Sequence, residues 1–333
     1  MGSQKQTMNV VYDTGSSDLW VFTTECSVCS SKSNVFNPSL SSSYVAGSRS
    51  FSITYGDGSW ARGHTGTEII SIGGATIRQG IDITTSVSSN LLSSDLDGIL
   101  GLGFPALMSV QGTPAQLSLL TLGTATIMQN LWNNDVIKQN LFGVQLIKFS
   151  DSYTGHDGGK WTFGGYDTSI IRGSLATTPL LQQTWWEISV PTIKVGSVKS
   201  FTPTASMIVD TGTTLIVLSK ADCDNIYSAL PGGQLNSQYG VYTMWCNATS
   251  DTYQGKRNVY FNIGGSYFGV PAADLLWEQI DNVNCYGAIQ SWGSGSGISI
   301  LGDVFLKNVY TVFDAGNSAV KVGQRTDVAV LTD

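Results

Sequence analysis

The apolar positions of this chain fall mostly into short runs rather than long periodic stretches. Segments 45–55, 67–72, 160–163 and 185–190 are dense in Val, Ile, Thr, Tyr, Phe and Trp, and clusters of Gly, Ser and Asn separate them. Runs of this kind bounded by turn formers read as β-strands. Helical periodicity is confined to two places. Residues 127, 128, 131, 132, 136 and 137 are apolar and share one helix face, which predicts a helix over 126–137. A second helix is expected to start after Ser219 as N-cap and run to Leu230, where Pro231-Gly232-Gly233 stops it. The expected class is all-β with a few short helices, and the 38 glycines suit a protein of many tight turns.

An internal repeat organises these strands. Val10-Val11-Tyr12-Asp13-Thr14-Gly15-Ser16-Ser17 is echoed by Met207-Ile208-Val209-Asp210-Thr211-Gly212-Thr213-Thr214. At a closely similar spacing downstream, Ile99-Leu100-Gly101 follows the first copy and Ile300-Leu301-Gly302 the second. A lone Asp-Thr-Gly would be weak, because Asp and Gly favour turns. Two copies with matched apolar strands before and matched glycine motifs after them are strong. With 333 residues the chain is long for one domain. Two β-rich lobes built to one plan and related by a pseudo-twofold axis are expected, residues 1–172 carrying the first aspartate and 173–333 the second.

Composition narrows the chemistry. Charged residues make up only 12% and the net charge is −7, so no basic stripe forms and nucleic acid is excluded as a partner. With 17 Lys and Arg, positive charge builds slowly as carboxylates protonate, which suits a protein that stays folded in acid. No run of eighteen apolar residues predicts a membrane span, and no signal peptide is read. Met1-Gly2-Ser3 reads as an added start. The five cysteines are an odd number. Cys246 and Cys285 could close the segment between them as a disulfide worth about 3–4 kcal/mol by chain entropy. Cys26 and Cys29 form a C-x-x-C among Ser-rich turns, without the βαβ context of a redox motif. No second Cys or His pair completes a zinc site with them, so a small structural disulfide is expected. Cys223 is left as a buried free thiol on a helix, and the disulfides point to an oxidising compartment, secreted or vacuolar.

Two facing Asp-Thr-Gly loops would supply a defined chemistry. Each aspartate ends a buried strand, and the glycine next but one lets the backbone turn tightly toward its partner loop. Two carboxylates a few ångströms apart do not both ionise cheaply and share one proton, as is well known for the aspartic-protease dyad. The pair titrates as a unit. Its ionised member can take a proton from a bound water while the protonated member donates to a scissile carbonyl, so an amide is hydrolysed without a covalent intermediate.

On these residues the chain resembles the pepsin family of aspartic proteases, in its fungal form, over nearly all its length from about Gln4. The resemblance implies a bilobal pepsin-like fold with an interdomain sheet, and an endopeptidase that cuts between preferably hydrophobic residues at acid pH, with Asp13 and Asp210 catalytic. By similarity, Ser16 and Thr213 bond the outer oxygens of the two aspartates, and Thr14 and Thr211 cross-link the loops. Tyr55-Gly56-Asp57-Gly58-Ser59 matches the family's flap, a hairpin that closes over substrate, with Tyr55 pairing to Trp20. By itself that run is an ordinary Asp-Gly hairpin turn, and only its place between the repeats raises it. Asp57 with Ser59 is similar to fungal flap tips that accept Lys beside the cut. Gly15, Gly212, Val11, Leu96 and Ile99 would contact substrate, plain core packing being the other reading of the last three. Asp97-Gly98-Ile99-Leu100-Gly101, Phe163-Gly164-Gly165-Tyr166-Asp167, Ile300-Leu301-Gly302-Asp303-Val304-Phe305 and Tyr310-Thr311-Val312-Phe313-Asp314 also match in order. Peptide and protein substrates and pepstatin-type inhibitors are the implied partners, with no cofactor and no metal.

The chain departs from the family at its start. Members normally carry two more strands before the first catalytic loop, so a truncated first lobe is expected, with lower stability or altered packing. Its sheet edge would be open or filled by a rearranged segment. The expected state is a monomer unless a partner chain supplies that strand. The stretch 105–127 is longer than in the animal enzymes. The competing reading is a catalytically impaired pepsin-like protein that binds peptides or another protein. Its relatives show a damaged Asp-Thr-Gly, whereas both copies here are intact. A serine or metal hydrolase fails on inventory, since His64 and His156 are the only histidines and neither H-E-x-x-H nor G-x-S-x-G occurs. Residues 56–61 and 101–106 imitate a dinucleotide fingerprint, but the first is a hairpin pattern and the second contains Pro105. Asn247-Ala248-Thr249 is a glycosylation acceptor sequence.

Overall fold

The computed structural model describes residues 1–32, 34–94, 96–110, 125–148, 158–248, 257–292 and 297–331. His156, Thr249 of the acceptor sequence and most of the stretch 105–127 lie outside the described residues. The chain forms two compact units, one of Met1–Asn140 with Gln183–Trp185, the other of Leu141–Gln182 with Trp186–Asp333.

The first unit is built on β1 (Val10–Asp13), β2 (Leu19–Val21), β3 (Val45–Thr54), β4 (Trp60–Ile72), β5 (Ala75–Val87) and β6 (Gly98–Gly101). They form one sheet in the order β1-β6-β2-β5-β4-β3. Strands β4 and β5 pair antiparallel from Ala61↔Val87 to Ile72↔Ala75, which gives the unit its long spine. One core cluster gathers Trp20, Phe22, Phe51, Ala61, Val87, Leu91 and Ile99 with the Cys26–Cys29 disulfide. Burial of such side chains is the main stabilising term, about 1.5–3 kcal/mol for each large one.

The second unit contains the remaining strands. They are β7 (Leu141–Leu146), β8 (Gly159–Phe163), β9 (Ile171–Gln183), β10 (Trp186–Ile188), β11 (Ile193–Val195), β12 (Lys199–Phe201), β13 (Met207–Val209), β14 (Ile216–Leu218) and β15 (Gln234–Asn236). After these come β16 (Val241–Trp245), β17 (Val259–Ile263), β18 (Ser266–Val270), β19 (Leu276–Gln279), β20 (Asn284–Gly287), β21 (Ile289–Ser291), β22 (Ser299–Leu301), β23 (Val309–Asp314) and β24 (Ala319–Arg325). A ten-stranded sheet runs β21-β14-β22-β13-β10-β9-β24-β23-β7-β8, with two four-stranded sheets, β12-β11-β17-β18 and β15-β16-β20-β19. Phe142 stacks on Phe313 at 4.8 Å and Trp186 meets Phe313 edge-on at 5.1 Å, an aromatic centre for the large sheet. Cys246–Cys285 ties the start of the segment after β16 to β20.

The all-β expectation holds, and both expected helices form but are shorter than read. The four α-helices among the described residues are α1 (Ser89–Leu92), α2 (Ile127–Asn133), α3 (Lys220–Tyr227) and α4 (Asp303–Leu306). Thr126 caps α2 in a reciprocal box: its Oγ1 accepts from the Gln129 amide at 3.3 Å, and Gln129 Oε1 accepts from the Thr126 amide at 3.2 Å. The helix ends by Asn134 because Asp135 turns to φ 55° and sends Val136 and Ile137 back onto the Leu131 carbonyl. Ser219 caps α3 by accepting from the Asp222 amide, and that helix closes at Ser228, short of Leu230. Cys223 is a free, buried thiol on this helix, as expected. No helix of the described residues is long and apolar enough to cross a membrane.

Candidate active site

The two copies of the repeat become the same local structure, one in each unit. In the first, β1 runs parallel to β6 with Val11↔Ile99, Tyr12↔Leu100 and Asp13↔Gly101 in register, and β2 returns antiparallel to β6 with Trp20↔Ile99. In the second, β13 runs parallel to β22 with Ile208↔Ile300 and Val209↔Leu301, and β14 returns antiparallel with Val217↔Ile300. Each aspartate therefore leaves the end of a strand, half-buried before Asp13 and fully buried before Asp210, and enters a loop folded back over a glycine. A Cβ on Gly101 would lie 2.5 Å from the Ser17 backbone, and one on Gly302 would lie 2.2 Å from the Thr213 carbonyl oxygen. Only glycine lets each loop pass this close.

Within each loop the carboxylate is held by the same clamp. Asp13 Oδ1 accepts from the Gly15 amide at 2.8 Å, and its Oδ2 accepts from Ser16 Oγ. Asp210 Oδ1 accepts from the Gly212 amide at 2.9 Å, and its Oδ2 accepts from Thr213 Oγ1 at 2.6 Å. The aspartates are 5% and 6% exposed, so these donors replace most of the water a free carboxylate would have. Thr14 and Thr211, the next residues, are buried as well. Backbone bonds lock the loops to the following segments: Gly103 donates to the Ser16 carbonyl at 2.7 Å and Asp303 to the Thr213 carbonyl at 2.8 Å.

The run 55–59 is a hairpin turn joining β3 to β4. Tyr55 N donates to Ser59 O at 2.8 Å, Gly58 N to Tyr55 O at 3.0 Å, and Ser59 N to Asp57 Oδ1 at 2.9 Å. At its base the Trp20 indole donates to the Tyr55 hydroxyl at 2.7 Å. Ser16, which clamps Asp13, lies near the same hydroxyl. Burial raises the Tyr55 phenol above its ordinary range, and the charges of Asp13 and Asp18 push the same way. Ile99 belongs to the core cluster around Trp20, and Val11 and Leu96 pack against it half-buried.

Sequence reasoning missed a second acidic pair in the first unit. Asp18 and Asp82 are 1% and 7% exposed, and each carboxyl group acts electrostatically on the other. Ser109 donates its amide to Asp18 at 3.1 and 3.0 Å and its hydroxyl at 3.0 Å. Burial raises both carboxyls, and Asp82, with the Asp18 charge against it, is lifted well above the carboxylate range. One signal was present: Asp82 interrupts a buried Ile81-Asp82-Ile83 run on a strand.

Comparison with known proteins agrees with these features. The family model for eukaryotic aspartyl protease matches residues 1–325. Rhizopuspepsin-2 of Rhizopus niveus is 37% identical over 321 residues, 94% of this chain and 74% of the relative. Syncephapepsin of Syncephalastrum racemosum is 37% identical over 325 residues, 97% of this chain and 75% of the relative. Cathepsin E of Rattus norvegicus is 33% identical over 330 residues, 96% of this chain and 77% of the relative.

Proposed function

Since the chain belongs to the eukaryotic aspartyl protease family, we propose that Asp13 and Asp210 are its two catalytic carboxylates. The protein is an aspartic endopeptidase of acid pH, acting on peptides and proteins. Its two disulfides fit an oxidising compartment, secreted or vacuolar.

In the proposed mechanism the aspartates act as one acid–base unit with a single proton. The ionised member takes a proton from water, which attacks the scissile carbonyl carbon. The protonated member donates to the carbonyl oxygen, giving a neutral gem-diol. Collapse breaks the C–N bond as a proton passes to the leaving nitrogen, and the unit returns to its starting state. Gly15, Ser16, Gly212 and Thr213 favour the charged form by donating to it, and Thr14 and Thr211 are assigned to cross-linking the loops. Tyr55, Gly56, Asp57, Gly58 and Ser59 form the flap, anchored by Trp20, which excludes water over the substrate. Val11, Leu96 and Ile99 offer an apolar wall to a hydrophobic substrate side chain. Residues 1–172 and 173–333 are assigned as the two lobes, pepstatin-type peptides as inhibitors, and a monomer as the working form.

The observation that carries this reading is the identical carboxylate clamp built independently in each unit. Asp13→Asn and Asp210→Asn, each assayed on denatured haemoglobin at acid pH, should lose about 10²–10⁴-fold in kcat/KM with the fold retained. Full activity in either variant would overturn the assignment.

A further inference from the structure

The hairpin that carries residues 55–59 leaves the sheet at Trp60. Toward β3 it is closed by Tyr55 N donating to Ser59 O at 2.8 Å, with Thr54 opposite Trp60. The amide and carbonyl of Trp60 serve the other side, toward β5. There the ladder has run out, because Ala61↔Val87 is the end pair of β4 with β5. In an antiparallel ladder two opposed residues exchange both backbone bonds. Ser88 supplies both to Trp60 by another route. Its amide donates to the Trp60 carbonyl at 2.9 Å, and its side-chain Oγ accepts from the Trp60 amide at 3.1 Å. The hydroxyl stands in for a backbone carbonyl and adds one rung to the ladder as the chain turns away into α1.

That use of the hydroxyl breaks a local rule. Ser88 is the N-cap of α1, at φ −69° and ψ 155°, where a serine ordinarily turns its oxygen onto the amides of the first helical turn. Ser88 makes no such cap bond. A residue of the preferred cap type that serves another partner is a conflict of the kind found at functional positions. Its partner is the first residue past the hairpin turn, half-buried, with the Arg62 guanidinium 4.6 Å from its ring centre. On the other strand, the Trp20 indole holds the Tyr55 hydroxyl. The hairpin therefore has two tethers at its base, Trp20 of β2 on Tyr55 and Ser88 at the end of β5 on Trp60. Strands β2 and β5 pair parallel, so both tethers come from one part of the sheet. Leu91 seats α1 in the core cluster around Trp20, which fixes Ser88 from the far side.

We propose that Ser88 is a positioning residue for the flap, a hydroxyl clasp that fixes the pivot at Trp60 so that residues 55–59 move as one piece over the substrate. Without the hydroxyl the Trp60 amide loses its acceptor and the added rung opens. The pivot then slides toward Ala61, and the closed position of the flap is less sharply defined. A small displacement away from the reacting atoms is enough to lower turnover, and lid placement is a common control point. The effect on catalysis rests on the reading of 55–59 as the flap; the clasp itself does not, so its test reads the hydrogen bond and the turnover separately.

The test compares Ser88→Ala and Ser88→Thr with the parent in the full chain, by amide hydrogen exchange, peptide hydrolysis and thermal denaturation. In Ser88→Ala the Trp60 amide should exchange about 5-fold faster or more, with the amides of the β4–β5 ladder unchanged. Its kcat/KM on a peptide substrate should fall roughly 3–10-fold while the thermal midpoint stays, since α1 has no cap bond to lose. Ser88→Thr keeps the hydroxyl and should restore both the slow exchange and the turnover. A role in capping α1 gives the opposite pattern, a lowered midpoint in Ser88→Ala with the Trp60 amide unmoved, and that result overturns the clasp. Faster exchange with kcat/KM unchanged overturns the positioning role. A parent chain that cleaves no peptide would count against the reading of Asp13 and Asp210, and the exchange of the Trp60 amide would then decide the clasp alone.

Discussion

Trp20 donates its indole N–H to the hydroxyl of Tyr55 at 2.7 Å, tying a fully buried core side chain to the base of the hairpin that follows β3. Trp20 is held by its strand, packed edge-on against Phe22 at 5.4 Å, so it gives the hairpin a fixed point of attachment. The same phenol feels the charge of Asp13. A hairpin attached this way has its resting position set by a side chain of the core.

Tyr55→Phe removes that attachment with little change of volume. Losing one such bond is worth about 1 kcal/mol, so kcat/KM on a peptide substrate should fall roughly 3–10-fold while the thermal midpoint barely moves. Trp20→Phe should cost activity to a similar degree and also about 1–3 kcal/mol of stability, because it leaves a cavity in the core. Steady-state kinetics with thermal denaturation of both variants separates the two effects. Equal stability losses would show that the indole and the phenol serve packing only.

The sequence carried the repeat, the strands, the hairpin and both disulfides because each is written in local pattern: apolar runs, turn residues, and cysteines within reach of one another. Helix lengths were over-read at Val136–Ile137 and Ala229–Leu230, where apolar residues continue the pattern but the backbone has turned out of the helix, burying Ile137, Ala229 and Leu230 and leaving Val136 exposed. Beyond Asp82 interrupting an apolar run, the nearness of Asp18 and Asp82 had no local signature. It depends on the parallel pairing of β2 with β5, which brings together residues that no short-range rule relates.

Removing Cys246–Cys285 by a double Cys→Ser change should lower stability by about 3–4 kcal/mol, since the closed loop is long. The same change at Cys26–Cys29 opens only a short loop in the denatured chain and should cost about 1.5 kcal/mol from that source. Chemical denaturation of the two variants checks the order. A larger loss at Cys26–Cys29 would mean that its place in the core around Trp20 and Phe22 outweighs loop length.

Cys223 should be chemically silent in the folded protein. Burial, with the charges of Asp222 and Asp224, pushes its thiol up to about 12, and its Sγ donates to the Gln290 carbonyl at 3.3 Å. A thiol reagent at about pH 8 should give no reaction until denaturant is added, and one equivalent afterwards. Prompt reaction with the native protein would contradict the buried position.

The matched clamps make the same prediction at both carboxylates. Ser16 Oγ and Thr213 Oγ1 each donate to a carboxylate oxygen and hold it in place. Ser16→Ala or Thr213→Val removes one charge-assisted bond, worth about 1.5–3 kcal/mol, so kcat/KM on a peptide substrate should fall roughly 10–100-fold with the fold retained. Thr213→Ser restores the hydroxyl and should restore the activity. Full activity in both variants would mean that neither hydroxyl holds a carboxylate the reaction uses, and the reading of Asp13 and Asp210 as one acid–base unit would fail with it.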